Sequence, residues 1–338
     1  MGYNKIMNKK VVLGFSGGVD SALAAVLLKN AGYEVLGLYL DNADEAALEA
    51  AIRGAEFSGI PLTVADVKAE LEEKVCSAFA RSYLMGETPN PCILCNPCLK
   101  FRNLLETAQK LGADHIATGH YARAVDGALY KGHPENDQSY MLCRLSRDQL
   151  NALLLPLGEF PKSKTREMAQ ELGLPAAGKP DSMEICFIPD KDYIGWLGRR
   201  AELPGEGDLV FHGETIGRHR GHLCYTVGQR YPGLIDDRKV YISRKDAARN
   251  VIELALWEEL FTTEVRARDF NWLCDMPDEF RGTVRVRHTK WENPPCTVRR
   301  DGDGIAIICD EPVRAPAAGQ SAVIYVEDRV IGGGFICA

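Results

Sequence analysis

The chain has 338 residues, 46% of them hydrophobic, 26% charged and 8% aromatic, with a formal net charge of −7. That is length enough for two or three ordinary globular domains, and no apolar run approaches the about 18–20 residues of a membrane-spanning helix. The acidic balance argues against wholesale nucleic-acid affinity while leaving room for a local basic surface. The start, MGYNKIMNKK, leads straight into a β-like run with no long apolar region or small-residue cleavage site, so no secretory signal is read. Ile6 stands where a myristoylation signal needs Ser or Thr. The cytoplasm is the expected compartment. Eleven cysteines are present, with Cys92, Cys95 and Cys98 packed within seven residues. In a cytoplasmic chain such a cluster reads as metal-binding or catalytic, not as a disulfide scaffold.

Taken in chain order, KKVVLGF (9–15) predicts a buried parallel strand, SALAAVLLKNAG (21–32) a helix and YEVLGLYL (33–40) a second strand. Strand, loop, helix, strand is a βαβ unit, so an α/β fold with a parallel sheet is expected. Helical patterns follow at 46–59, 69–85, 101–112 and 163–174, with extended runs at 60–66 and 113–119. Cys186 falls in a stretch read as short and extended. From about residue 200 the chain turns glycine-rich with short strands. Beyond about 259, alternating runs such as RGTVRVRH (281–288) and SAVIYVED (321–328) predict a small β-barrel. The expected domains are 1–198, 199–258 and 259–338.

The strongest motif is SGGVDS (16–21), between the first strand and the first helix. It is not a Walker A loop. Gly17 and Gly18 let the backbone approach phosphate oxygens, and the amides opening the following helix face the anion, aided by the helix dipole. Ser16 and Ser21 offer hydroxyls, and Asp20 is placed to hold Mg²⁺ with ATP. The bland alternative is a glycine turn with Asp20 or Ser21 as a helix cap. The loop resembles the PP-loop of the ATP pyrophosphatases, a superfamily of amide-forming synthetases and tRNA-modifying enzymes.

In GETPNPCILCNPCLKF (86–101), two CxxC spacings overlap and Pro89-Asn90-Pro91 forces an extended approach, so Cys92 opens a loop or a helix. Such a start favours a nucleophilic thiol. Cys76, Cys143, Cys224, Cys274, Cys296, Cys309 and Cys337 read as small core residues, and His115 as structural. His120 ends a strand where α/β sheets bind ligands. Arg285, Arg287, His288, Lys290, Arg299 and Arg300 form either a phosphate-binding stripe or the solvated face of a barrel.

SGGVDS, TPNPCILCN, ATGHYAR (117–123), DQSY (137–140), DSMEICFIPD (181–190), YTVGQR (225–230) and AAGQSAVIYVEDRVIGGGFI (317–336) occur in the order seen in the tRNA-specific 2-thiouridylases. The chain resembles that family along nearly its whole length. The resemblance implies a PP-loop domain, a small central domain and a C-terminal β-barrel. It implies that Gly14, Phe15, Ser16, Gly17, Gly18, Val19, Asp20, Ser21, Leu40 and Gly119 line the ATP site. It makes Cys186 the persulfide carrier and Cys95 the partner that frees sulfur by forming a disulfide. It sets Asn90, Pro91 and Cys92 beside the target base, and makes His120, Asn136, Asp137, Gln138, Arg287, His288 and Gln320 tRNA-contacting residues. The implied partners are the tRNA anticodon loop and a persulfide sulfur-donor protein. Two features depart from the family: Cys92 stands where many members carry aspartate, and Cys98 is an extra thiol. The stretch between Leu40 and Gly86 also looks short for the family.

The implied reaction is ATP-dependent 2-thiolation of the wobble uridine of tRNAs for Lys, Glu and Gln, with AMP and pyrophosphate released. A rival runs the same thiolation on a [4Fe–4S] cluster held by Cys92, Cys95 and Cys186. Rivals of other classes are a PP-loop amide-forming synthetase and a non-catalytic iron–sulfur or RNA-binding protein.

Overall fold

The computed structural model describes residues 9–178, 185–287 and 293–337. The chain divides into two compact units. The first comprises residues up to Val75, Cys92–Met183 and the short piece Asp328–Val330. The second comprises Cys76–Pro91, Glu184–Glu327 and Ile331–Ala338.

The first unit is built on the βαβ pattern read from the sequence. β1 (Lys10–Gly14), β2 (Glu34–Asp41), β3 (Leu62–Asp66), β4 (His115–Ala117) and β7 (Leu153–Leu154) form a parallel sheet in the order β3-β2-β1-β4-β7. Val11, Val12 and Leu13 are fully buried, as a strand covered on both faces must be. Val11 and Leu13 share a core with α1 (Val19–Asn30), α2 (Glu45–Ser58) and Ala169 of the helix Lys162–Glu171. Val12, of opposite parity, faces the other way, and the helix Phe101–Leu111 packs on β1 and β4. Asp44 caps α2, its carboxylate accepting the Ala47 amide at 3.0 Å. The hairpin β5 (Ala122–Val125) and β6 (Ala128–Lys131) follows β4, and Tyr130 pairs with Arg329.

The second unit holds two sheets. β8 (Gly207–Phe211), β9 (Glu214–His219), β10 (Arg230–Ile235), β11 (Arg238–Asp246) and β12 (Val251–Leu256) are ordered β10-β11-β12-β8-β9 around Leu209, Val240, Ile242 and Ile252. β13 (Phe261–Trp272), β14 (Glu279–Arg285), β15 (Pro295–Asp301), β16 (Gly304–Arg314), β17 (Ser321–Val326) and β18 (Arg329–Ile336) follow. Among the described residues these six close into a barrel, since β13 pairs with both β16 and β18. Closure leaves no free edge among the six and seals a core of Val265, Val284, Val298, Ile305, Ile307 and Ile324.

Candidate active site

The phosphate loop leaves the C-terminal end of β1, beside the ends of β2 and β4, where open parallel sheets bind ligands. Gly17 has φ +72°, and a Cβ there would come within 2.5 Å of the Ala51 amide nitrogen of α2. Only glycine fits that approach. Gly18 caps α1 without any side-chain hydrogen bond, so the opening amides of the helix are not capped by one. The Ser16 and Ser21 hydroxyls lie 3.3 Å apart, and Ser21 Oγ donates to the Gly18 carbonyl at 3.1 Å. An open cavity of about 110 Å³ abuts the loop, lined by Gly17, Ala22, Ala50, Arg53, Gly54 and Pro175. Leu40 is the next-to-last residue of β2 next door, and a Cβ on Gly119 would sit 3.0 Å from Asp20, so the turn after β4 packs directly on the loop. Gly14–Ser21 and Gly119 thus converge, with a glycine at each close approach, in a form that suits a polyphosphate.

Asp20 is the best-connected residue of the loop. Its Oδ1 accepts the Tyr121 hydroxyl at 2.6 Å, and both its oxygens accept Lys162 Nζ, at 2.7 and 2.8 Å. Tyr121 and Thr165 are buried and share a hydrogen bond of 2.8 Å. A divalent cation fits on Asp20 only with the Lys162 ammonium moved aside. Asp20 is therefore more than a helix cap, yet it is not a bare carboxylate awaiting Mg²⁺.

His120 follows Gly119. Its Nδ1 lies 2.8 Å from Thr118 Oγ1 and its ring 5.9 Å from that of Phe101. Burial, and then the charge of Lys100, holds its pKa well below the usual imidazole value, so it is a neutral hydrogen-bonding group. Asn136, Asp137 and Gln138 brace the loop's supports. Asn136 Oδ1 accepts the Lys162 amide at 3.1 Å and Gln138 Oε1 accepts the Tyr121 amide at 3.0 Å. Asp137 is buried, accepting from the Gly132 and Ser139 amides and the Ser139 hydroxyl.

The cysteine segment is a helix. Pro91 is its first residue, where a missing N–H costs nothing, and Pro91–Cys95 runs through one wider turn, Asn96–Lys100, into Phe101–Leu111. Pro97 is tolerated because the turn is held from outside. Gln149 Nε2 donates to the Pro97 carbonyl at 2.8 Å, and buried Asn96 donates to the Met141 carbonyl at 2.9 Å. Cys92 is exposed, while Cys95 and Cys98 are half-buried. Burial raises the Cys98 thiol pKa, which suits packing better than attack.

In the second unit Cys186 is exposed and sits in a turn, with the Ile188 amide donating to the Ile185 carbonyl. The extended segment expected here is thus a turn, and residues 179–184 before it lie outside the described residues. Phe187 and Trp196 anchor the segment on Phe79, at 5.5 and 5.7 Å. Gln320 Nε2 donates to the Thr88 carbonyl, and Glu87 pairs with Arg268, so the approach to Asn90 is fastened to the barrel. Arg287 donates to the Val227 carbonyl at 2.6 Å and Arg285 to Asn293 at 3.1 Å. Arg299 and Arg300 pair with Glu279 and Asp278. His288 and Lys290 lie outside the described residues. Among the described residues no three His, Cys, Asp or Glu side chains gather to hold a metal ion.

Sequence reasoning missed Tyr121, Thr165 and Lys162. One signal was available for Lys162. It opens a helix whose first turn holds Lys162 and Lys164 and no acid, the unfavourable end of the dipole for cations.

Profiles described as a tRNA methyl transferase HUP domain, a tRNA methyl transferase PRC-barrel domain and an aminomethyltransferase beta-barrel domain match residues 9–190, 201–255 and 262–336. The tRNA-specific 2-thiouridylase MnmA of Syntrophotalea carbinolica is 40% identical over 350 residues, covering 98% of this chain and 99% of that protein. The protein of the same name from Chlorobium phaeobacteroides is 41% identical over 356 residues, covering 98% and 99%. That from Brucella canis is 40% identical over 364 residues, covering 98% and 91%. With the phosphate loop, the cysteine helix and the barrel in the same chain, these likenesses run end to end: the chain belongs to the tRNA-specific 2-thiouridylase family.

Proposed function

We propose that this enzyme uses ATP to replace the C2 oxygen of the wobble uridine with sulfur in tRNAs for Lys, Glu and Gln, working in the cytoplasm. The observation that carries the reading is the phosphate loop at the strand ends, with Gly17 and Gly119 at its close approaches, in a chain 40% identical over its length to a 2-thiouridylase. A carbonyl oxygen is a poor leaving group. Adenylation makes it a good one, with pyrophosphate leaving into the Ser16–Ser21 loop, whose fixed N–H donors meet the developing charge. Mg²⁺, when bound with ATP, would neutralise phosphate charge beside Asp20.

Cys186, exposed on its turn, carries the persulfide. Its outer sulfur attacks C2 and AMP leaves. The Cys95 thiolate then attacks Cys186 Sγ, the S–S bond to the base breaks, and its electron pair stays on the new thiocarbonyl sulfur. A Cys95–Cys186 disulfide remains, which a two-electron dithiol reductant must reopen before a donor protein reloads Cys186. His120 and the Asn90–Cys92 segment supply contacts to a base unstacked from the anticodon loop, and Arg287, His288 and Gln320 contacts to the RNA. The three parts of this reading are residues 1–198, 199–258 and 259–338. Mass analysis of tRNA nucleosides from cells lacking the protein tests it: 2-thiouridine derivatives should vanish from these three tRNAs and return with the intact gene. Unchanged 2-thiouridine would refute it.

A further inference from the structure

Lys245, the next-to-last residue of β11, is half-buried, and burial lowers its pKa to about 8 against the opposing pull of the Glu87 charge. Taking an ammonium out of water costs stability, and a methionine of similar length would pack there without that cost. What a methionine cannot do is donate a hydrogen bond. Lys245 Nζ donates to the Glu87 carbonyl at 3.3 Å and lies 5.9 Å from the centre of the Tyr83 ring. The segment it holds is fastened on its other sides as well. The helix Ser77–Leu84 ends in a Schellman turn, where Gly86 has φ +83°, its amide donates to the Tyr83 carbonyl and the Glu87 amide donates to the Ser82 carbonyl, both at 2.9 Å. A Cβ on Gly86 would come 3.2 Å from that of Ala247, so the turn sits against the end of β11. Beyond it the Thr88 amide donates to the Ala318 carbonyl at 2.8 Å, Gln320 donates to the Thr88 carbonyl and Arg268 pairs with the Glu87 carboxylate. The barrel thus grips one side of Glu87 and Thr88, and Lys245 grips the other from the central sheet. Asn90 and Pro91 follow within three residues.

We propose that Lys245 is a positioning residue for thiolation: its ammonium holds the Glu87 carbonyl and thereby fixes the segment that presents Asn90 and Pro91 to the target base. The inference rests on the reading that these two residues stand beside that base. A hydrogen bond from a charged donor is about twice as strong as one from a neutral donor, so the hold weakens when the amine loses its proton. Proton loss centres on a pH of about 8. The groups facing Lys245 do not share that titration. Burial pushes the Tyr83 phenol up to about 12 and holds the His222 imidazole below its usual range, and the Glu87 carboxylate is paired with Arg268.

The test measures kcat/KM for tRNA thiolation in the wild-type chain, Lys245→Met and Lys245→Arg between pH of about 7 and about 9, one unit either side of the Lys245 value. ATP affinity is measured alongside, without tRNA. Lys245→Met should lose about 10- to 100-fold in kcat/KM at the lower pH, the effect of removing one hydrogen bond from a charged donor. Its ATP affinity should not change. Arginine stays charged throughout, so the ratio of Lys245→Arg to wild type should rise about 5- to 10-fold over the range, the difference between a charged and a neutral donor. The ratio cancels every titration that the two chains share. If Lys245→Arg does not fold, the wild-type advantage over Lys245→Met should shrink by the same factor. A lysine that only packs would give ratios independent of pH. Such flat ratios, wild-type kcat/KM in folded Lys245→Met, or a loss of its ATP affinity would overturn the inference while wild-type thiolation stands. An Asn90→Ala variant with unchanged kcat/KM, or a wild-type chain that thiolates no tRNA, would instead overturn the reading beneath it.

Discussion

Two pairs of neighbouring cysteines in this protein differ sharply in exposure. Cys92 and Cys95 lie three residues apart on the helix opened by Pro91, one exposed and the other half-buried. Cys296 and Cys309 face each other across β15 and β16, both buried in the barrel core. Burial pushes the Cys296 and Cys309 thiols up to about 12 and about 11, with Asp310 adding to both and the Cys309 thiol adding to Cys296. Proximity alone therefore does not make a thiol reactive. Access to solvent and to a substrate does, and a raised pKa keeps the barrel pair protonated and inert.

The largest effect should come from the reactive side of this contrast. Cys95→Ser or Cys186→Ser should each lower thiolation on the order of 10³-fold or more while tRNA-dependent pyrophosphate release persists, because the sulfur step fails after adenylation. Cys92→Asp should retain substantial thiolation with no change in bound iron. A parallel fall of activity and iron would make Cys92 a cluster ligand and erase the distinction between it and Cys95.

The barrel pair should respond in stability alone. Cys296→Ser places a hydroxyl in an apolar core and should cost about 1–3 kcal/mol in denaturant unfolding, with the thiolation rate kept. A rate that fell with stability unchanged would give this pair a chemical role.

A smaller effect concerns RNA. Replacing Arg285 and Arg287 by Gln should flatten the salt dependence of tRNA binding by about one unit for each phosphate that is no longer neutralised, without altering ATP affinity. An unaltered slope would assign both to barrel structure, through Asn293 and the Val227 carbonyl.

The smallest concerns pH. Thiols whose folded pKa is raised contribute stability that is complete below the unfolded value of about 8.5 and is lost as pH rises toward the folded one. Melting temperature should decline between pH of about 8.5 and about 11, and decline less steeply in the Cys296→Ala, Cys309→Ala double variant. Parallel profiles would mean that these thiols titrate no differently when unfolded.

The β1–loop–α1 unit was legible because three signals coincide there: a run buried on both faces, glycines where the backbone meets a neighbour, and a helical period after them. The barrel was legible from its alternating strands. The full helix Pro91–Leu111 was not, because Pro97 interrupts the pattern and its wider turn depends on Gln149 and Met141, some 45 and more residues away. The turn at Cys186 was missed because its anchors, Phe79 and Trp196, lie outside the segment. Lys162 was missed because its reason for being there is Asp20, 142 residues earlier. Asn136 and Gln138 were expected to meet RNA. Their side chains hold Lys162 and Tyr121, so the same turn supports the phosphate loop.

The most direct test of sulfur transfer is a single turnover with protein carrying one persulfide on Cys186, ATP and unmodified tRNA, followed by nucleoside and peptide mass mapping. The account predicts equal amounts of 2-thiouridine and AMP, with Cys95 and Cys186 recovered joined as a disulfide. Formation of 2-thiouridine with both thiols still open to alkylation would contradict it.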